Sequence, residues 1–168
     1  MEEKRSRIKE EIIGILAIAA GLVIILSLIS YDPWDRSFSA QGPELKNMLG
    51  HFGANLSAVL MQSVGFASYL MPLVLIVIGI RKVIGKSIQY RRKLSIALFI
   101  ILILSTSSLL SLTFERPSGG ALGAITTDLT MQLVSTVGSY LLFGTLTLVS
   151  IMYLIQFSII SFFSVMKT

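Results

Sequence analysis

Few residues in this chain could perform chemistry, and their spacing assembles no catalytic site. His51 is the only histidine, and Asp32 and Asp35 are close enough in sequence to suggest a cation site. A lone histidine on an amphipathic surface is usually just solvated, and aspartates at a helix end usually accept hydrogen bonds from nearby backbone donors. The chain has no cysteine, which removes disulfides and thiolate metal sites. We therefore predict no catalytic residue, no metal site and no cofactor in this chain.

The run Gly85-Lys86-Ser87 matches the end of a phosphate-binding loop, but the match fails on spacing. That motif needs another glycine at position 80, where this chain has Ile80. The loop must also follow a buried strand, whereas this one follows a long apolar run. We interpret the run as a basic turn beside a membrane.

Long apolar runs surround these residues. Hydrophobic residues make up 54% of the chain, against about 45–50% in soluble domains even with glycine counted. About 20 apolar residues in a helix match the roughly 30 Å hydrocarbon core of a bilayer. The predicted fold class is all-α, an integral membrane bundle of four transmembrane helices. The predicted spans are residues 12–30, 65–80, 94–113 and 138–166, with a cytoplasmic loop at 81–93 and outer loops at 31–64 and 114–137.

Basic residues alternate with these spans. Eleven of the fourteen lysines and arginines lie before the first span, between the second and third, or after the fourth. The positive-inside rule then places both termini and the middle loop in the cytoplasm. The topology-setting residues of that loop are Arg81, Lys82, Lys86, Arg91, Arg92 and Lys93. The net charge of +5 therefore indicates topology and attraction to anionic lipids, and we predict no direct DNA binding by this segment.

The predicted spans contain no Asp, Glu, Lys, Arg or His. Ion pathways, proton relays and catalytic sites in membranes usually depend on such residues, so their absence argues against a transporter, a pump or an intramembrane protease. Gly14, Ala17 and Gly21 share one face of the first span, where small residues let helices approach closely. The alternative is that small residues are simply common in such helices. Gln156, an amide deep in the fourth span, is a further candidate for helix packing.

Two segments with helical spacing of apolar residues precede the second and fourth spans. Residues 44–64 and 122–136 carry polar side chains between their apolar positions, which is typical of amphipathic helices on a membrane surface. Pro33 is predicted to end the first helix, and Pro72 predicts a kink in the second span.

The two outer loops resemble each other. Gly50-x-x-Gly53-Ala54 and Met61-Gln62 recur 70 residues later as Gly120-x-x-Gly123-Ala124 and Met131-Gln132, and Ser68-Tyr69-Leu70 recurs 71 residues later as Ser139-Tyr140-Leu141. The simplest interpretation is two helical hairpins of the same orientation, related by an axis along the membrane normal.

Four stretches follow one another in a characteristic order. They are Ser30-Tyr31-Asp32-Pro33-Trp34-Asp35-Arg36-Ser37-Phe38-Ser39, Asn47-Met48-Leu49-Gly50-His51-Phe52-Gly53-Ala54, Gln62-x-x-Gly65-x-x-Ser68-Tyr69-Leu70-x-Pro72 and Ser118-Gly119-Gly120-x-x-Gly123. In these stretches the chain resembles the N-terminal four-helix membrane domain of FtsK-type (FtsK/SpoIIIE) DNA translocases. The outer-loop motif comprises Tyr31, Asp32, Pro33, Asp35, Gly50, Gly53, Gly119, Gly120 and Gly123. Its glycines could serve tight packing or a partner surface.

The resemblance implies a membrane anchor for an ATP-driven motor that moves double-stranded DNA during cell division. It also implies a multi-pass protein of the bacterial inner membrane at the division septum, in contact with other divisome membrane proteins. A homo-oligomer is expected, a hexamer by resemblance to the motor. ATP and Mg²⁺ would bind the motor domain of a full-length relative. This chain ends at Thr168 without Walker motifs, so we expect either the membrane domain alone or a stand-alone relative, without enzymatic activity.

An alternative function is a small channel or transporter subunit that uses the repeat interface as its pathway. Flux through reconstituted liposomes would distinguish that function from an anchor. A membrane-embedded enzyme fits less well, because no nucleophile–base pair or metal-ligand set is present.

Overall fold

The computed structural model describes residues 2–38, 40, 44–85, 92–114 and 118–155. The regular secondary structure of these residues is all helical with no strand, and four helical stretches among them are long and apolar enough to cross a membrane, which confirms the predicted fold class. The elements are α1 (Glu2–Ile29), α2 (Gly50–Val64), a 3-10 helix (Gly65–Tyr69), α3 (Leu70–Val83), α4 (Arg92–Thr113) and α5 (Gly120–Ile155).

Helix α1 begins at Glu2, ten residues before the predicted first span. An exposed ion pair between Arg7 and Glu11, one turn apart at 3.1 Å, adds a small stabilisation.

The chain divides into two compact units. The first comprises Met1–Gln62 and Ser68–Gln89, and within it α1 packs on α3. Glycines make this contact possible: a Cβ placed on Gly14 would lie 2.7 Å from the carbonyl oxygen of Gly79, and one on Gly79 would lie 2.6 Å from that of Gly14. At the end of α1 nearer the N-terminus, Lys82 forms an ion pair with Glu10.

The second unit comprises Ser63–Ala67 and Tyr90–Thr168, and within it α4 packs on α5. Here hydroxyl groups join the helices. The hydroxyl of Thr147 donates to that of Ser105 at 2.8 Å, and the hydroxyl of Thr127 donates to the carbonyl oxygen of Ser108 at 3.1 Å. Hydrogen bonds of this kind between membrane helices contribute about 0.6 kcal/mol on average.

Two helical stretches are longer than one membrane crossing requires. Residues Gly50–Val83 would extend about 51 Å as one helix, well beyond the roughly 30 Å hydrocarbon core. The α-helical path is interrupted by the 3-10 helix that begins at Gly65, where φ is 62°. Helix α5 is broken at Ser135, with φ 60° and ψ 176°. In each case the part after the break is long enough for one crossing.

Two local predictions are wrong. Residues 44–49 are not helical and α2 begins only at Gly50, because the backbone N–H of Lys46 is bound by the carboxylate of Asp35 and φ of Gly50 is 63°. Pro72 does not kink a span. It lies in the first turn of α3, where the missing N–H of proline costs little, and the irregular backbone is the 3-10 helix before it.

The sequence repeat has a counterpart in the backbone. Helix α2 and the first part of α5 each begin at a glycine with positive φ, 63° at Gly50 and 65° at Gly120. Each runs for fifteen residues and ends at a second residue with positive φ, Gly65 or Ser135. All four positions obey the offset of 70. The matching local geometry is what a duplicated helical hairpin predicts.

Candidate functional site: the outer loops and their helix junctions

A turn of the outer-loop motif follows α1. One carboxylate oxygen of Asp32 accepts the backbone N–H of Trp34 at 2.9 Å, and the other pairs with the Lys46 ammonium at 2.8 Å. Asp35 is buried, and its Oδ1 accepts the backbone N–H of Lys46 at 2.7 Å. The two aspartates therefore hold the turn and the returning chain together. Pro33 and Trp34 are exposed, and Tyr31 is half-buried.

The ion pair in this turn shifts both of its pKa values. The hydrogen bond from Lys46, followed by that from the Trp34 backbone, lowers the pKa of Asp32 below its ordinary 3.8. The same hydrogen bond and the charge of Asp32 raise the pKa of Lys46 above 10.5. The lowered carboxyl pKa stabilises the turn above pH 3.8, and this is lost as pH falls through the folded-state value. The raised ammonium pKa stabilises it below pH 10.5, and this is lost as pH rises through the folded-state value.

We expect the fluorescence of Trp34, the only tryptophan, to be constant at neutral pH and to change in acid below pH 3.8. The reason is that protonation of Asp32 removes the charged acceptor of the Trp34 N–H. Asp32→Asn keeps a neutral acceptor at this position and should abolish the acid transition. An unchanged acid transition in that variant would show that another group controls the turn.

A buried amide closes the end of α1 that leads into this turn. The Nδ2 group of Asn47 donates to the carbonyl oxygens of Ser27 at 2.9 Å and Ser30 at 3.2 Å. Its Oδ1 accepts the backbone N–H of Leu49 at 3.1 Å. The last carbonyls of a helix have no partner within the helix, and beside a membrane they need a protein donor. Asn47 supplies that donor.

In both units a tyrosine hydroxyl also donates a hydrogen bond to a carbonyl oxygen near the end of a helix. Tyr69 donates to the carbonyl oxygen of Leu28 near the end of α1 at 2.9 Å, and Tyr140 donates to that of Leu112 near the end of α4 at 2.8 Å. Both tyrosines belong to the repeated Ser-Tyr-Leu motif. Each repeat thus ties the start of its second span to the end of its first.

Four of the five outer-loop glycines are placed for close packing. Gly53, Gly119, Gly120 and Gly123 are buried, and Gly50 is half-buried. A Cβ on Gly123 would lie 2.5 Å from the carbonyl oxygen of Ser107, and one on Gly53 would overlap the side chain of Asn47. Of the two roles left open by the sequence, packing within the chain is the one these contacts support.

The other sequence candidates do not converge on one site. Gly14 and Gly21 are buried against α3 and Ala17 is half-buried, whereas His51 is exposed at the start of α2. Among the described residues no group of three or more His, Asp or Glu side chains could hold a metal ion. Lys86, Arg91 and Gln156 lie outside the described residues, and Arg92 and Lys93 begin α4. Arg81 and Lys82 lie in the last turn of α3.

Sequence reasoning missed the roles of Asn47 and the two tyrosines. The tyrosines recur in the repeat and Asn47 stands in one of the motif stretches, so all three were visible in the sequence. Their acceptors were not, because Asn47 and Ser27 are 20 residues apart and Tyr69 and Leu28 are 41 apart.

These features define a helical membrane domain with four candidate spans and polar side chains that bind backbone groups at the ends of its helices. A family model described as the 4TM region of DNA translocase FtsK/SpoIIIE matches residues 6–167. The chain belongs to this family, which confirms the resemblance seen in the sequence.

Curated relatives carry the same family name. The DNA translocase FtsK of Rickettsia bellii (strain RML369-C) is 32% identical over 164 residues, which cover 94% of this chain and 21% of that protein. The DNA translocase FtsK of Rickettsia prowazekii (strain Madrid E) is 30% identical over 152 residues, covering 86% of this chain and 20% of that protein. The DNA translocase FtsK of Azospirillum brasilense is 39% identical over 83 residues, covering 48% and 13%.

This chain therefore spans about a fifth of the Rickettsia relatives it matches. The match lies in the membrane region of the family. No solved structure matches the chain.

Proposed function

We propose that this chain is the membrane anchor of a DNA translocase that acts in cell division, and that it self-associates at the division septum. The observation that carries the proposal is the family match over residues 6–167, which spans all four candidate membrane helices. Three curated relatives that match most of this chain are named DNA translocases. The proposed location is the bacterial inner membrane.

The proposed orientation has both termini and the middle loop in the cytoplasm. An even number of crossings puts both chain ends on one side. The basic residues at the end of α3 and the start of α4 favour the cytoplasmic side for the loop between them. In a full-length relative this orientation would present a motor, and its ATP and Mg²⁺, to cytoplasmic DNA.

The anchor needs no chemistry of its own, and the contacts fit that role. The polar side chains at the outer helix ends mainly bind backbone groups of this chain, as Asn47 and Tyr69 do. Anchoring instead depends on apolar surface. In the most apolar stretch of each span, between 17% and 33% of the residues are buried inside the protein. Most residues of these stretches are therefore available to lipid. Other divisome membrane proteins are the proposed partners.

A fluorescent fusion of this chain should form a band or focus at the septum of dividing cells. An unrelated four-span protein with the same tag and expression level is the control and should label the whole envelope. Diffuse labelling by both fusions would contradict septal targeting while leaving membrane anchoring intact. Recovery of the fusion in the soluble fraction would contradict the anchor itself.

The alternative function, a small channel or transporter subunit, has less support. The predicted spans lack Asp, Glu, Lys, Arg and His, and such residues usually form transport pathways.

A further inference from the structure

One contact within the second unit joins two elements that recur in the chain, the positive-φ break that ends α2 and the start of α5. The segment Ser63–Ala67, which contains the positive-φ break at Gly65, packs on the start of α5. The backbone N–H of Phe66 donates to the carbonyl oxygen of Ser118 at 2.9 Å. A Cβ on Gly120 would lie 2.6 Å from the backbone nitrogen of Gly65. Val64 and Ala67 are only 5% and 1% exposed, so the contact between Ser63–Ala67 and the start of α5 is tightly packed.

The repeat supplies a second copy of each half of this contact. By the offset of 70, residues 133–137 correspond to Ser63–Ala67, and residues 48–50 correspond to residues 118–120. The φ angles of the two copies match, because φ is 60° at Ser135 against 62° at Gly65 and 63° at Gly50 against 65° at Gly120.

Both halves of this second pair carry exposed side chains. Val134 is 45% exposed and Val137 is 70% exposed, whereas their counterparts in the packed contact are buried. Met48 is 69% exposed, and a Cβ on Gly50 would meet no atom within 4 Å. The chain thus presents one half of a known contact at Ser135 and the complementary half at Gly50.

The backbone at Ser135 adds an energetic argument. Its φ and ψ of 60° and 176° fall in a region that is essentially restricted to glycine. A strained residue of this kind persists where the surrounding structure holds it in place. At the equivalent Gly65 the surrounding structure is the start of α5. At Ser135 the described residues leave the side chain exposed.

We propose that residues 133–137 of one chain dock on residues 48–50 of a second copy of this chain. The backbone N–H of Thr136 takes the place of that of Phe66, and the carbonyl oxygen of Met48 takes the place of that of Ser118. The surfaces on the two copies differ, so the interface is head-to-tail and generates a ring when the rotation between copies closes. A rotation about the membrane normal keeps every copy in the same orientation in the bilayer.

This inference rests on the self-association in the proposed function and names its surface. Lipid could cover the exposed valines, but lipid tails cannot supply a backbone carbonyl of the kind that Phe66 binds at Ser118. A second copy offers a backbone carbonyl beside a glycine of the correct φ. The packed contact at Phe66 shows that this combination is complementary.

The absence of cysteine makes the test direct. Met48→Cys and Thr136→Cys are introduced together into the full chain, and its membranes are treated with a short bis-maleimide. We expect a shift from the mass of one chain to species of two and more chains. Mixing the two single variants should give only the two-chain species. Phe66→Cys with Ser118→Cys is the positive control and should crosslink within one chain. Met48→Cys with Leu148→Cys, whose α5 side chain is 64% exposed, is the negative control.

Each outcome decides the proposal. Multichain species from positions 48 and 136 but not from 48 and 148 support it. Equal products from both pairs would indicate random collision and overturn it. No product at 48 and 136, with the 66–118 crosslink present, also overturns it and leaves lipid as the cover. A missing 66–118 crosslink removes the packed contact on which the inference is based.

Energy transfer between two tagged copies of the unsubstituted chain separates the two proposals. Transfer without the 48–136 crosslink would mean that the chains associate through another surface. No transfer and no crosslink would contradict both this interface and the self-association in the proposed function.

Discussion

Gly79→Ala is expected to destabilise the first unit by about 1–3 kcal/mol, the usual cost of overpacking a close contact. The added methyl group would stand 2.6 Å from the carbonyl oxygen of Gly14 and equally close to Ile18. Backbone atoms cannot rotate away as a side chain does, so α1 and α3 must move apart. The measurement is the concentration of SDS at which the detergent-solubilised chain unfolds, followed by the fluorescence of Trp34.

Gly144→Ala is the matched control for this prediction. Gly144 is also helical, but a Cβ there meets nothing within 4 Å. Both substitutions gain the same helix propensity, about 1 kcal/mol for alanine over glycine, so the difference between the two variants isolates the packing cost. If both variants unfold at the same concentration of SDS, the close approach of α1 and α3 contributes nothing to stability.

Asn47→Asp is expected to destabilise the chain by a comparable or larger amount, although it only replaces the side-chain amide with a carboxylate. The substitution removes the donor that binds the carbonyl oxygens of Ser27 and Ser30 and puts a charged acceptor against them. Each buried polar group left without a partner costs roughly 1–3 kcal/mol, and a buried charge costs more. We expect unfolding at a clearly lower concentration of SDS, with partial recovery in acid, where the introduced carboxyl group is protonated and can donate.

Asn55→Asp is the control for charge and shape. Asn55 also donates to a backbone carbonyl, that of His51 at 2.7 Å, but in an exposed setting where water can replace the bond. Its effect should be small. If the two variants unfold at the same concentration of SDS, the amide of Asn47 is not what closes the end of α1.

The two units join their helices by different chemistry. In the first unit Gly21 of α1 lies close to Ile76 of α3, whereas in the second the hydroxyl of Thr147 of α5 donates to that of Ser105 of α4. Lipid tails are as apolar as leucine, so helices in a membrane gain little from burying apolar side chains. Close approach through glycine and hydrogen bonding through serine and threonine are the two remaining means, and each hairpin relies mainly on one of them.

Part of the outer-loop structure could be predicted and part could not. The end of α1 near Pro33 and the break of α5 near Ser135 lie close to where the sequence placed them, because a proline and a change in amphipathic pattern act locally. The start of α2 was misplaced by six residues. Residues 44–49 have helical apolar spacing, but Asp35 and Asn47 bind their backbone and prevent a helix there.

The sequence by itself determined that the chain is helical, that four stretches can cross a membrane and that the chain belongs among FtsK-type membrane domains. Apolar length, charge distribution and motif order are properties of consecutive residues, so no contact is needed to read them. Only the tertiary structure decided that Gly14 faces Gly79, that Asn47 and Tyr69 close the end of α1, and that Ser135 repeats the geometry of Gly65. Those facts depend on side chains and backbone groups that are distant in sequence and are brought within a few ångströms only when the helices pack.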